Sequence, residues 1–280
     1  MGRQSNNTLA MRRASRTPGK ISAKIADINA DSALARGIRV LRAFRAGDSV
    51  LTNSELAKRS NLPKPTISRI LATLTELGCI SYIEHLEAYK LGGALIAMGH
   101  VASANFDLVQ VARPLMAKLA DEVGLAVGIG MLEKDRIVWM ESCLGSARVA
   151  LQVPIGSRLP LFSTAMGRAI LATMSSDMRT RLIERHGPQD AEERKHNERA
   201  IERAAAEVNR IGFCTALGEW DPNIHGVAAP LITGEGNFVL GCGGPPYLLP
   251  ANRMYEEIGP QLAKIAKKIR ESVGTPPGVS

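Results

Sequence analysis

The sequence lacks paired cysteines. Its four, Cys79, Cys143, Cys214 and Cys242, lie far apart and form no CxxC. That spacing argues against a disulfide framework or a zinc site and reads as free thiols in a reducing cytosol. The five histidines show no ligand spacing either, so neither a metal nor a cofactor is expected. His186 and His196 flank a mixed-charge stretch that reads as solvated surface. Long apolar runs are also missing: Gly93–Ala104 comes nearest to the ~18 residues a membrane span needs, and His100 interrupts it. The basic start, MGRQSNNTLAMRRASRTPGK, has no apolar segment and does not read as a secretory signal. A cytoplasmic protein with no membrane partner is the expectation. GxSxG, Walker, HExxH and Rossmann motifs are absent too. Gly128–Gly130 and Gly241–Gly244 are glycine-rich, but without the spacing or the following helix of a phosphate loop. No catalytic residue is expected, and an enzyme would need an unrecognised site.

What is present is charge, unevenly placed. Residues 1–92 carry 15 Lys/Arg against 7 Asp/Glu, and residues 93–280 carry 20 against 20. The whole excess of +8 therefore sits in the first third. A length of 280 residues suggests about two domains. The asymmetry suggests that one handles a polyanion and the other, a neutral module, something else. The alternative is a solubility effect carried by a basic tail.

Residues 1–31 are polar and basic, and are expected to be disordered. Ser32–Arg45 places Leu34, Ile38, Leu41 and Phe44 at helical spacing, which predicts a helix with that face inward. Thr52, with Glu55 three residues on, predicts the capping box of a second helix. NLPKPTISRILATLTELG predicts a third, from Pro65 to Leu77, with Ile67, Ile70, Leu71, Leu74 and Leu77 as its apolar stripe. Cys79–Ile83 and Ala88–Leu91 read as a two-stranded wing. Three helices and a hairpin in a basic segment make a winged helix-turn-helix over residues 32–93.

Proline suits the first turn of a helix, where its missing N–H costs nothing. Pro63 and Pro65 thus set the phase of the third helix. At about 100° per residue, Pro65, Ser68, Arg69 and Thr73 fall away from the stripe, with Thr66 at its margin. Short polar groups and an arginine suit a major groove. Lys64 and the helix start suit phosphates. Thr52 and Ser54 at the start of the second helix and Lys90 on the wing complete the expected contacts to double-stranded operator DNA. The alternative is an ordinary amphipathic helix with a solvated outer face.

Gly93–Val123 reads as a linker helix over residues 94–104, a break at Asn105, and a first helix of the next domain that Pro114 starts or kinks. From Leu125, AVGIGML, RIVWMES and RVALQV read as strands. Helices follow near Thr164–Met174, Asp177–Arg185 and Asn197–Arg210, then strands GFCTAL, GVAAPLI and FVLGCG and a last helix over Asn252–Ile269. The expected fold is α+β, with helices packed on an antiparallel sheet over residues 105–272 and a flexible tail from 273.

With these elements in order, residues 32–270 resemble the IclR family of bacterial transcription regulators. LPKPTISRIL with YKLG (Tyr89–Gly92) resembles its DNA-binding module. GSRLPLFSTAMGRAILA (Gly156–Ala172) resembles its signature near the ligand pocket, and IGFCTALGEWDPNIHGVAAPL (Ile211–Leu231) its C-terminal half. The resemblance implies a winged helix, a linker helix and a GAF-like effector-binding domain. It also implies homodimers or tetramers on operator DNA, and control of catabolic genes by small organic acids, often aromatic. Repressor is the first expectation and activator the alternative. A scaffold that binds partners instead of DNA is a third possibility.

Phe162–Gly167 follows a strand and opens a helix, so Ser163 or Thr164 would cap it and leave amide N–H groups for a carboxylate. Plain capping is the alternative. The resemblance puts Ala165 and Met166 at the family's backbone-donor positions. It puts Ala216, Gly226, Gly241 and Gly243 where members sensing small acids tend to carry Asp, Cys and two Ser. Four small groups in place of four polar ones suggest a larger, more apolar pocket for a bulkier acid than glyoxylate. Leu151, Leu159 and Trp220 are expected as walls. Arg148 is a candidate for the carboxylate, or else a sheet-surface arginine.

Overall fold

The structure, a computed structural model, describes residues 32–45, 47–104, 106–146, 151 and 153–273. The tail of residues 1–31, Asn105, Arg148 and most of the RVALQV stretch lie outside the described residues. The chain divides into two compact units, residues 1–95 and 96–280.

In the first unit Ser32 caps α1 (Ala33–Leu41), its hydroxyl accepting from the Ala35 amide at 3.2 Å. The strand β1 (Leu51–Thr52) leads into α2 (Asn53–Ser60). Thr52 and Glu55 form the expected capping box there: the Glu55 carboxylate accepts from the Thr52 amide at 2.8 Å. Asn61, left-handed at φ 53°, ends α2 and turns the chain into α3 (Lys64–Glu76). The wing is β2 (Ile80–Ile83) and β3 (Ala88–Leu91), joined by a 3-10 turn. It has three strands rather than two, in the order β1-β3-β2. A two-residue strand is too short to show a periodicity, so β1 appears only through its pairing of Leu51 with Tyr89. Val40, Leu56, Ile67, Leu71 and Ile80 form the core.

Two expected faces differ from the structure. On α1, Leu34 and Ile38 are 76% and 42% exposed, whereas Val40 is fully buried. Only the end of α1 meets the core, so the buried residues are those of its last turn and beyond. On α3, Leu77 is 63% exposed because the helix stops at Glu76 and the stripe ends with Leu74. Leu34, Ile38, Leu41, Ile70, Leu74 and Leu77 instead line an open groove between α1 and α3.

The helix α4 (Gly93–Ala104) runs across the division at Leu95. Ala94 and Leu95 pack on the first core, and Ile96 and Met98 are exposed. Among the described residues no single helix is long and apolar enough to cross a membrane.

The second unit opens with α5 (Asp107–Val123), which contains Pro114 and ends at Gly124 with φ 73°. Next come β4 (Ala126–Glu133), β5 (Arg136–Cys143), β6 (Arg158–Pro160), α6 (Ala165–Ala172), α7 (Ser176–His186) and α8 (Ala191–Ile211). Then β7 (Cys214–Leu217), β8 (His225–Thr233) and β9 (Gly236–Gly244) lead through a π-helical turn, Met254–Ile258, into α9 (Gly259–Val273). Helix α8 begins six residues before Asn197, because Asp190 caps it by accepting from the Glu193 amide at 2.8 Å. Its first turn is exposed and so has no apolar period to read.

The strands form one antiparallel sheet in the order β6-β5-β4-β9-β8-β7. α5 and α9 cover one face, where Met116, Leu119, Val127, Ile129, Leu240 and Leu262 pack together. α6, backed by α8, covers the other through Ile137, Trp139, Met166, Ile170, Ala228 and Val239. Apolar residues alternating along the strands feed two cores, which is why the central strands are buried on both faces.

Candidate functional site

Two surfaces carry the candidate residues, one in each unit. On the first, α3 turns Lys64, Pro65, Ser68, Arg69 and Thr73 to solvent, with Thr66 half-buried. Its N-cap is Pro63, which makes no side-chain bond to the first turn. The amides of Lys64 and Thr66 therefore face outward unfilled, and Pro65 between them has none. A phosphate is the natural acceptor for such a start. On α2 the Thr52–Glu55 box satisfies the Thr52 and Glu55 amides; Thr52 and Ser54 are exposed beside it. Lys90 is exposed on β3.

The polar groups on this face are not equally free. Ser68 Oγ donates to the Lys64 carbonyl at 3.1 Å and accepts from Asn53 Nδ2 at 3.0 Å. That locks the start of α2 against α3 and leaves Ser68 one lone pair and no proton to offer. Thr73 donates to the Arg69 carbonyl at 3.2 Å. Arg59 is committed to Asp48 at 2.5 Å and to the Ala43 carbonyl at 3.1 Å. The Arg59 hydrogen bond and the Arg45 amide hold the Asp48 carboxyl below the ordinary carboxylate range. Arg69 thus remains as the exposed donor-rich group at the centre of the helix, able to meet a guanine edge with two parallel bonds.

In the second unit, β6 leads straight into the start of α6. Thr164 Oγ1 donates to the Pro160 carbonyl at 2.7 Å and accepts from the Gly167 amide at 3.1 Å. Thr164 is the cap; Ser163 is half-buried beside it. The amides of Ala165 and Met166, first and second in the helix, have no partner among the described residues. Both residues line a pocket. β5 and β6 contribute Trp139 and Leu159 to its wall, and the stretch between them contributes Leu151 and Val153. Ala216 of β7, His225–Val227 of β8 and Gly241–Gly243 of β9 form the floor. Trp220 and Ile224 come from the loop after β7. The structure thus brings together Leu151, Leu159, Ser163, Thr164, Ala165, Met166, Ala216, Trp220, Gly226, Gly241 and Gly243; Arg148 lies outside the described residues.

The small floor residues do not leave open space. A Cβ on Gly241 would meet Met166 Cγ at 2.7 Å, one on Gly243 would meet Leu151 Cδ2 at 2.9 Å, and one on Gly226 would meet Ala165 Cβ at 3.3 Å. Side chains from the opposite wall have filled the room that a larger pocket was expected to keep, as close packing requires. The cavity that remains is about 50 Å³. That holds a few waters, against the ~150 Å³ that takes up a benzene ring. An aromatic ligand therefore needs Met166 to swing aside, which its three rotatable bonds and soft thioether allow.

A buried arginine braces the pocket loop. Arg168 of α6 is fully buried and donates to the Phe162 carbonyl at 2.9 Å and to Glu219 at 2.8 Å. Glu219 also accepts from Arg203 at 2.9 Å and from the Leu217 amide. Burial pushes the Glu219 carboxyl up, but the Arg168 bond and charge outweigh it and hold it below its ordinary value. The next residue is Trp220, 38% exposed and so a wall residue rather than core. Burial raises the thiol of Cys242 to about 12 and raises that of Cys214 as well, so neither is a thiolate nucleophile. Among the described residues no group of three or more metal-ligating side chains occurs.

Sequence reasoning missed Trp139, Val153, Ile224, His225, Val227 and Cys242 of the lining. Trp139 had a signal in the alternation of RIVWMES, which puts it on the same face as Ile137.

Two family models match the chain. The helix-turn-helix domain of IclR covers residues 33–83, and the C-terminal domain of the bacterial transcriptional regulator IclR covers residues 100–273. The solved structure of an IclR family transcriptional regulator from Brucella abortus is 34% identical, with TM-score 0.75 over 86% of this chain and 92% of that one. The HTH-type transcriptional regulator TsaQ1/TsaQ2 of Comamonas testosteroni is 28% identical over 85% of this chain and 86% of that protein. An IclR homologue from Microbacterium hydrocarbonoxydans, solved in complex with 4-hydroxybenzoate, shares the fold at TM-score 0.69 and 23% identity, over 86% of this chain and 99% of that one.

Proposed function

This chain belongs to the IclR family of bacterial transcriptional regulators, and from that premise we propose that it represses a catabolic operon until an aromatic-sized organic acid binds it. Its first domain binds DNA, its second binds a small-molecule effector, and neither is an enzyme domain. The proposed contacts to operator DNA are Arg69 to a base edge, Lys64, Lys90 and the start of α3 to phosphates, and Thr52, Ser54, Pro65, Thr66, Ser68 and Thr73 beside them. The proposed effector site is the pocket at the start of α6, with the Ala165 and Met166 amides taking the carboxylate.

The observation that carries this reading is the unfilled pair of amides opening on apolar walls. Charge without a partner is costly in such surroundings, and a carboxylate accepting from the two amides meets that need while its ring lies on Trp139, Leu159 and Trp220. The closed cavity of about 50 Å³ suits only a smaller acid, so an aromatic-sized one enters with Met166 displaced. The chain acts as a homodimer or tetramer, since two recognition helices about 34 Å apart fit successive major grooves. Effector binding selects one conformation of the sensor domain and alters that spacing.

Fluorescence anisotropy with labelled upstream DNA tests the proposal. Specific binding should fall steeply with salt, and an aromatic acid such as 4-hydroxybenzoate should weaken it. Tighter binding with the acid would make the protein an activator or co-repressor-dependent. A response to glyoxylate alone would remove the aromatic-sized effector.

A further inference from the structure

We propose that the indole N–H of Trp139 is the pocket's second donor, and that it selects an acid carrying an additional oxygen acceptor over the same acid without one. The inference rests on the reading of this pocket as an acid-binding site.

Trp139 is 5% exposed and lines the pocket. Its Nε1 is buried with no hydrogen-bond partner. An indole N–H donates and cannot accept, and a buried one ordinarily finds an acceptor. Among the described residues none supplies that acceptor, and a molecule in the pocket would.

The main chain that carries the ring is held on both sides. The Trp139 amide donates to the Ser157 carbonyl at 2.9 Å, and the Gly156 amide donates to the Trp139 carbonyl at 2.7 Å. The indole lies across Gly128, where a Cβ would fall 2.0 Å from Cζ2. Gly128 pairs with Gly241, and Gly241 is the glycine that Met166 covers. The rigid indole and the movable Met166 thus lie over neighbouring glycines of one sheet face. When Met166 swings aside, the opened space borders the indole on one side and the Ala165 and Met166 amides on the other. The matching ligand is a carboxylic acid with a hydroxyl, carbonyl or second carboxyl oxygen at the far side of an aromatic-sized body.

The probes are 4-hydroxybenzoate and 4-methylbenzoate, which are close in shape and differ in that oxygen. With two tryptophans in the chain, the full-length protein gives two indole cross-peaks in a ¹H–¹⁵N spectrum. Trp139→Phe assigns one of them, and should it fail to fold, Trp220→Phe assigns the other. The Trp139 indole proton should move downfield and exchange more slowly with 4-hydroxybenzoate than with 4-methylbenzoate. In calorimetry Trp139→Phe, which keeps a flat ring, should lose about tenfold in affinity for the hydroxy acid, or ~1.4 kcal/mol, and little for the methyl acid. Equal losses for both acids, or an indole proton unmoved by a hydroxy acid that binds, overturns the Trp139 assignment and leaves the pocket reading standing. Binding of neither acid removes both.

Discussion

Two helix starts in this molecule carry the candidate sites, each with first-turn amides left open, and they differ in everything around that opening. α3 starts at an exposed Pro63–Lys64 step with no side-chain cap, and Pro65 removes its second amide. α6 starts inside the sensor domain, capped by Thr164, with its first two amides both present and turned on a pocket. The partial positive charge of a helix start is the same in both places. In water it is screened, so α3 needs Lys64, Arg69 and the basic surroundings to hold DNA. In an apolar pocket one carboxylate is enough. The difference predicts that damage to the α6 start acts on stability and ligand, whereas damage to the exposed donors of α3 acts mainly on DNA.

The largest effect should come from the brace behind α6. Glu219→Ala leaves Arg168 buried and without its counter-charge, and breaking such a pair costs about 3–5 kcal/mol. Thermal denaturation of the full chain should show a drop of several degrees in the sensor transition. The pH dependence has a definite sign. The Glu219 carboxyl is held below its unfolded value, so its contribution is complete above the unfolded carboxylate range and is lost as pH falls through the lower folded value. A wild-type protein that gains stability on acidification in that window would contradict the brace.

Next in size is the amide pair itself. Ala165→Pro removes one N–H at the position where proline fits a helix, and Thr164 before it is already extended (φ -98°, ψ 152°). The fold should survive, while acid affinity should fall roughly 10–100-fold, as for a lost bond to a charged group. Calorimetry reads the affinity and a melting curve checks the fold. Unchanged affinity would take the carboxylate away from α6, and the two helix starts would no longer be doing the same job.

On α3, Arg69→Ala should cost roughly 1–3 kcal/mol of specific binding and relax the preference at one base pair. Competition with non-specific DNA separates that from a phosphate contact, which would weaken all sequences alike.

The two helix starts were also unequally legible. α3 is local: a proline at its start, an apolar stripe and a polar outer face are all written within residues 61–77, and the structure departs only at Leu77. The α6 start was legible for the same reason, through Thr164 and the strand before it. The walls were harder. Trp139 meets the pocket because β5 pairs with β4 through a register shift at Ile129–Gly130, and because Gly128 lets the ring lie flat. The alternation of RIVWMES shows which face Trp139 takes, but what it meets there is decided on β4. The filling of Gly241 by Met166 and of Gly243 by Leu151 is likewise a contact across the domain. Local sequence shows that a position is small, and only packing decides whether the space is empty. The same limit applies on α1, where periodicity put Leu34 and Ile38 inward but only the last turn reaches the core.

The smallest effect should separate an occupied polar group from a free one. From sequence, Ser68 and Arg69 both stand on the outer face of α3, but the Ser68 hydroxyl already serves Lys64 and Asn53. With its proton committed it can accept a bond from a base amine but cannot donate to a phosphate or a guanine edge. Ser68→Ala should therefore weaken specific DNA binding by less than Arg69→Ala does, within about 1 kcal/mol. What it removes is the tie between the start of α2 and α3, so part of the loss should appear in the stability of the first domain. Asn53→Ala cuts the same tie from the other side and makes no expected contact with a base. If the two variants lose DNA affinity equally, Ser68 positions the helix. If Ser68→Ala alone changes the preferred base, the hydroxyl reads DNA and the free-donor argument for Arg69 loses its force.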